Sequence, residues 1–172
     1  MADEARITAL IIDDNAHMRS ILITLLHAVG VDETRQASDG GEAMSMLLLW
    51  QPTFIVVDQN MQPMNGTAFA RQLRFARDNP CSDVPIIMLT AHTERAIVET
   101  ARDAGIDEIL AKPISAKALM QRLNAIMNER RPFVRAGTYV GPDRRRRRKG
   151  DRGYYGPKRR IDDRKDDTYD LD

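Results

Sequence analysis

Cysteine is nearly absent: Cys81 is the only one in 172 residues, so no disulfide can close within the chain, which suits a reducing compartment. Long apolar runs are missing as well, and nothing approaches the roughly 20 residues that a membrane-spanning helix needs. The opening stretch MADEAR has neither the basic region nor the apolar core of a secretion signal. These absences lead us to expect a soluble, cytoplasmic protein with no membrane role. Aromatics make up only 5%, so any core must rely on aliphatic residues, with the nine methionines as filler. The three histidines, His17, His27 and His92, lack metal-ligand spacing and have no cysteine beside them, which argues against a zinc site.

What is present is unevenly spread. Residues 1–132 carry 13 Lys and Arg against 17 Asp and Glu, a net charge of −4. Residues 133–172 carry 13 bases and 8 acids, a net of +5, so the overall +1 describes neither part. Apolar residues are dense and periodic from Ile7 to Met127 and sparse after Phe133.

Short apolar runs alternate with three-and-four patterns. Strands are expected at 7–12, 34–37, 54–57, 85–89 and 108–111. Helices are expected at 16–29, from Asp39 to Trp50, at 67–77, 93–104 and 115–128, with Gly30 and Gly105 as stops. Five strand–helix repeats with short connections imply right-handed crossovers and a parallel sheet covered on both faces. The expected fold is therefore α/β, a flavodoxin-like doubly wound (βα)5 sheet. Such sheets bind ligands at the carboxyl ends of their strands.

The residues at those ends are Asp13 and Asp14, then Asp58, then Thr90, then Lys112 followed by Pro113. Singly each is ordinary: an Asp at a strand end caps a turn, a Thr suits a strand, and Lys-Pro is a loop. Together they place three carboxylates, a hydroxyl and an ammonium on one edge. Clustered carboxylates raise one another's pKa unless a cation is present. An all-oxygen set suits Mg²⁺. A carboxylate beside such an ion can attack phosphorus, while the ion and a lysine offset charge on the transferred oxygens.

These residues resemble the receiver domain of bacterial response regulators, chemotaxis receivers above all. The resemblance spans about residues 6–130 and rests on IIDDN (11–15), VVDQNMQPMNG (56–66), MLTA (88–91) and AKP (111–113). It implies that Asp13, Asp14 and Asp58, with the Asn60 backbone carbonyl, bind Mg²⁺, Asp14 directly and Asp13 through water. It implies that Asp58 is the phosphoacceptor, that Thr90 senses the phosphoryl group, and that Lys112 pairs with it, held by a cis Pro113. The implied partners are a histidine kinase or phosphotransfer protein and a downstream protein target, with a homodimer left open. The expected product is a signalling switch rather than an enzyme, limited to self-phosphorylation and slow autodephosphorylation.

The sequence departs from the family pattern in three places. The proline after the acceptor comes one residue late, in Met61-Gln62-Pro63. Ile109 stands where the family carries a switch aromatic. His92 lies two residues beyond Thr90 and, with Asn60, occupies a position that tunes phosphoryl lifetime. A rival reading is an Asp-nucleophile phosphatase of the haloacid-dehalogenase kind, but its nucleophile follows the first strand in a DxD pattern, which Asp13-Asp14-Asn15 does not match.

Residues 131–172 are expected to be a disordered, charged tail. The tail repeats a cassette, Tyr139-Val140-Gly141-Pro142-Asp143-Arg144-Arg145 and Tyr154-Tyr155-Gly156-Pro157-Lys158-Arg159-Arg160. Its arginines and tyrosines could dock on an acidic surface, including the domain's own carboxylate edge, or on nucleic acid. Nucleic acid is the less favoured target, because the last twelve residues hold six Asp against two bases.

Overall fold

The computed structural model describes residues 6–144. Five parallel strands, β1 (Thr8–Ile12), β2 (Glu33–Ala37), β3 (Phe54–Asp58), β4 (Ile86–Thr90) and β5 (Glu108–Ala111), lie in the order β2-β1-β3-β4-β5. The reversal of order between β1 and β3 is the doubly wound topology expected. Five helices connect them: α1 (Ala16–Ala28), α2 (Gly40–Leu47), α3 (Gly66–Phe75), α4 (Arg95–Asp103) and α5 (Ala116–Asn128). Among the described residues no helix is long and apolar enough to cross a membrane.

The central strands are apolar on both faces because both are covered. Leu10, Ile12, Ile55, Val57, Ile86 and Met88 point into the layer under α2, α3 and α4. The intervening Ala9, Ile11, Phe54, Val56, Ile87 and Leu89 point into the layer under α1 and α5. Helix starts are capped as the sequence suggests: Asn15, Asp39, Asn65 and Ser115 each accept a backbone N–H from three residues ahead. Helix α2 ends at Leu47, earlier than expected, and leaves Leu48 and Leu49 exposed.

One expectation is corrected. The stretch from residue 131 is not a featureless tail where it is described: β6 (Phe133–Ala136) and β7 (Tyr139–Pro142) form an antiparallel hairpin. It seats at the amino ends of β4 and β5, against the end of α3. The reason is tertiary. Arg135 donates from Nη1 to the Arg74 carbonyl at 3.3 Å and from Nη2 to Ser82 Oγ at 3.0 Å. Arg131 donates to the carbonyls of Asp107 and Asp143, at 2.6 and 3.1 Å, and Val140, Gly141 and Pro142 are buried.

Under the hairpin lies Arg74, fully buried. Its Nε donates to the Gly105 carbonyl at 2.9 Å, its Nη1 to the carbonyls of Ser82 and Val84 at 3.0 and 2.8 Å, and its Nη2 to Asp107 Oδ2 at 2.9 Å. The Phe133 ring covers it at 5.4 Å. Burial raises the Asp107 carboxyl above its ordinary range, and the Arg74 guanidinium opposes that shift. The first cassette thus docks at the pole opposite the carboxylate edge, not on it. The second cassette, the run 145–149 and the acidic end lie outside the described residues.

Candidate functional site

The carboxyl ends of β1, β3 and β5 converge as the topology requires. Asp13 follows β1, Asp58 ends β3, and Lys112 follows β5. Carboxylate oxygens of Asp13, Asp14 and Asp58 lie within 4.8 Å of one another. Lys112 Nζ is 2.7 Å from Asp58 Oδ1, in a pair that is 27% exposed on the lysine and 5% on the aspartate. A cleft of about 320 Å³ opens over them, lined also by Asn15, His17, Met18 and Asn60.

Local bonds hold the first loop in place. The Asn15 N–H donates to Asp13 Oδ1 at 2.8 Å, and Arg19 donates from Nη1 to the Asp13 carbonyl at 2.8 Å while its Nε reaches Gln36. The other oxygen of Asp13, Oδ2, is buried with no hydrogen-bond partner among the described residues. Burial pushes the Asp13 carboxyl above its ordinary range, the charges of Asp58 and Asp14 add to that, and the Asn15 N–H and Lys112 oppose it. A buried, unpartnered carboxylate oxygen beside two more carboxylates is a donor set that a hard divalent cation fits. The residues present therefore match an Mg²⁺ site on their own chemistry.

The remaining residues singled out in the sequence gather around this centre at different distances. Thr90 is buried, and its hydroxyl donates to the His92 carbonyl at 3.0 Å while accepting the His92 N–H at 3.1 Å. It is satisfied within its own loop. His92 is exposed and its ring faces Glu94 at 3.7 Å rather than lining the cleft. Ile109, half-buried, packs on the α3–α4 side of the core. The Lys112–Pro113 peptide bond is cis, and so is Gln62–Pro63 in the loop with the displaced proline. Gly66 starts α3 directly behind the acceptor strand, donating to the Gln59 carbonyl at 3.1 Å. A Cβ there would come within 2.6 Å of the Asp58 carbonyl oxygen.

Three residues of the neighbourhood were not singled out in the sequence. Arg19 and Gln36 brace the Asp13 loop from α1 and β2, and Gln59 Oε1 accepts from both the N–H and the hydroxyl of Thr67. Gln59 at least adjoins Asp58 in sequence. Nothing in the pattern links Arg19 to Gln36. Cys81 plays no part in this chemistry: it is buried, its thiol donates to the Leu47 carbonyl, and burial pushes its pKa up to about 11.

A family model, response regulator receiver domain, matches residues 9–124. The chain belongs to the response regulator receiver family. The receiver is 34% identical over 117 residues to chemotaxis protein CheY-3 of Vibrio cholerae, covering 68% of this chain and 88% of that one. It is also 34% identical to chemotaxis protein CheY of Pseudomonas aeruginosa, covering 68% and 93%. Among solved structures, Vibrio cholerae CheY4 superposes with a TM-score of 0.65 at 27% identity, over 72% of this chain and all of the other. The receiver domain of the Pseudomonas aeruginosa sensor histidine kinase PA1611 superposes with a TM-score of 0.61 at 27% identity, covering 70% and 96%. That relative has a magnesium ion coordinated in its active-site cleft. Receivers are signalling domains of two-component systems and not conventional enzymes.

Proposed function

We propose that this receiver accepts a phosphoryl group on Asp58 from a histidine kinase or phosphotransfer protein, with Mg²⁺ bound at the adjacent carboxylates, and thereby switches its binding to a downstream protein. The observation that carries the reading is the Asp13–Asp14–Asp58 cluster with Lys112 Nζ 2.7 Å from Asp58 Oδ1. An Asp58 oxygen attacks the phosphorus of a phosphohistidine. The P–N bond breaks, the departing imidazole takes a proton from solvent, and an acyl phosphate remains.

Asp13, Asp14 and Asp58, with the Asn60 backbone carbonyl, would hold Mg²⁺, which when bound offsets the charge of the carboxylates and phosphoryl oxygens. Lys112 exchanges its ion pair with Asp58 for one with a phosphoryl oxygen. Thr90 must break its bond to the His92 carbonyl to donate to the phosphoryl group, so its movement is tied to the loop that follows β4. Without an aromatic at 109, that movement is answered by repacking of Ile109. Asn60, exposed on the cleft lining, and His92, exposed two residues beyond Thr90, tune water access and so phosphoryl lifetime. Pro113 fixes where the lysine leaves β5.

The test is direct. Incubation with a small-molecule phosphodonor and Mg²⁺ should add one phosphoryl group by intact mass, and Asp58→Asn should abolish it. A full gain in the variant would refute the assignment. The alternative, a nucleic-acid binder acting through the tail, draws no support from the described arginines beyond residue 129. Arg130, Arg131, Arg135 and Arg144 all bond to the body of the domain.

A further inference from the structure

The first cassette of the repeat forms the second strand of the hairpin, and the residues it shares with the second cassette are the ones that seat it. Tyr139 donates from its hydroxyl to the Pro142 carbonyl at 2.6 Å, folding the cassette on itself. Arg144 stacks on the Tyr139 ring, 4.0 Å from its centre, and reaches Asp103 Oδ1 at 3.1 Å. Gly141 lies so close to the α4–β5 turn that a Cβ there would fall 2.6 Å from Gly105 Cα. Gly105 itself, at φ +87°, has no room for a side chain beneath the Val140 carbonyl. Arg74, Asp103 and Gly105 therefore form a socket, and Tyr, Gly, Pro and Arg at fixed spacing form its ligand.

Tyr154, Gly156, Pro157 and Arg159 repeat that ligand at the same spacing. Over these six positions the two cassettes differ at two. Tyr155 replaces the buried Val140, and Lys158 replaces Asp143, whose carbonyl accepts from Arg131. We propose that residues 154–159 are a second ligand for this socket on the same chain, pairing with β6 in place of β7 when the first cassette is displaced. The hairpin loop would lengthen from two residues (137–138) to seventeen (137–153), and loop closure alone then favours the first cassette by about 25-fold. The first cassette holds the socket at rest. Exchange frees Arg144 from Tyr139 and Asp103 for another partner while Arg74 stays covered.

Gly141→Val evicts the first cassette by the contact just described and leaves the second untouched. It should be made in the full chain and in a chain ending at residue 149, which retains every described residue. Both are compared at a concentration where light scattering reports a monomer. In the full chain, hydrogen-exchange protection of the β6 amides should fall by about the 25-fold that loop closure costs, and in the shorter chain by at least about tenfold more. The parent ending at 149 should keep its protection, and adding Gly156→Val to the full-length Gly141→Val chain should abolish the rescue. If Gly141→Val unfolds the shorter chain altogether, folding of the full-length variant by circular dichroism gives the same comparison. Equal loss at both lengths, no loss at either, or rescue confined to dimers would overturn the proposal.

Discussion

At the base of the sheet, Arg74 donates four hydrogen bonds, has a carboxylate beside it and an aromatic ring over it. At the opposite edge, Asp13 is nearly as buried but keeps one oxygen with no partner among the described residues, and two further carboxylates press on it. Both are buried charge, and the difference lies in closure. A charge whose partners all come from the protein holds elements together and has nothing left to offer. A charge left short of a partner stores a demand that a ligand can meet.

The sharpest way to break the comparison is at the closed end. Asp107→Ala leaves the Arg74 guanidinium buried without its counter-charge and should cost about 3–5 kcal/mol in urea denaturation. Phosphoryl acceptance should survive at low temperature, because the pair lies at the other pole. Unchanged stability would mean that water reaches Arg74 and that the base is not closed.

A smaller loss should follow from ending the chain at Pro132. The hairpin covers Arg74 and Gly105 and buries Val140, and burying one such side chain fully is worth about 1.5–3 kcal/mol. The shortened receiver should melt lower by an amount of that order. A melting temperature equal to the full chain's would restore the view of residues 133–144 as a mere appendage.

The open end should respond in the opposite sense. Asp13→Asn relieves carboxylate repulsion, so the metal-free protein should gain up to about 1 kcal/mol, while its Mg²⁺ affinity should drop at least about tenfold. The pH dependence has a defined sign. The native Asp13 carboxyl binds its proton more tightly than the unfolded one, since burial raises its pKa. The metal-free protein therefore gains stability from this group as pH falls toward the raised value and loses it as pH rises through that value. Melting curves from pH 7 to about pH 4 should show this slope flattened in Asp13→Asn. A slope equal to the parent's would assign it to other carboxyls.

The sheet and the acidic edge were legible because their signals are local. Each strand is a short apolar run ending at a chemistry-bearing residue, and the doubly wound topology turns those ends into neighbours. Asp13, Asp58 and Lys112 needed no tertiary knowledge beyond that. The hairpin was illegible for the converse reason. Residues 133–142 stand at the head of a strongly charged stretch, and what orders them comes from Arg74, Asp103 and Gly105, which lie dozens of positions away. Arg74 itself reads as one more charge on α3, since nothing in its own segment marks the carboxylate 33 residues on that keeps it inside. The orientation of Thr90 was likewise hidden, because a hydroxyl's partner depends on the turn that follows it.

Gly66 sets how freely this sequence can drift. Its missing side chain lets α3 begin against the backbone of the residue that the proposed chemistry uses, with 2.6 Å where even a methyl group would have to stand. Around it, Asn60, Gln62, Pro63 and Asn65 are exposed and can be exchanged with little steric consequence. A saturation library across this loop should therefore show a plateau of tolerance at Asn60, Gln62 and Pro63, dips at the buried Met61 and the helix cap Asn65, and the deepest pit at position 66. Insertions and altered prolines, such as the one already present at 63, can accumulate on the plateau, but every surviving lineage must pass through glycine.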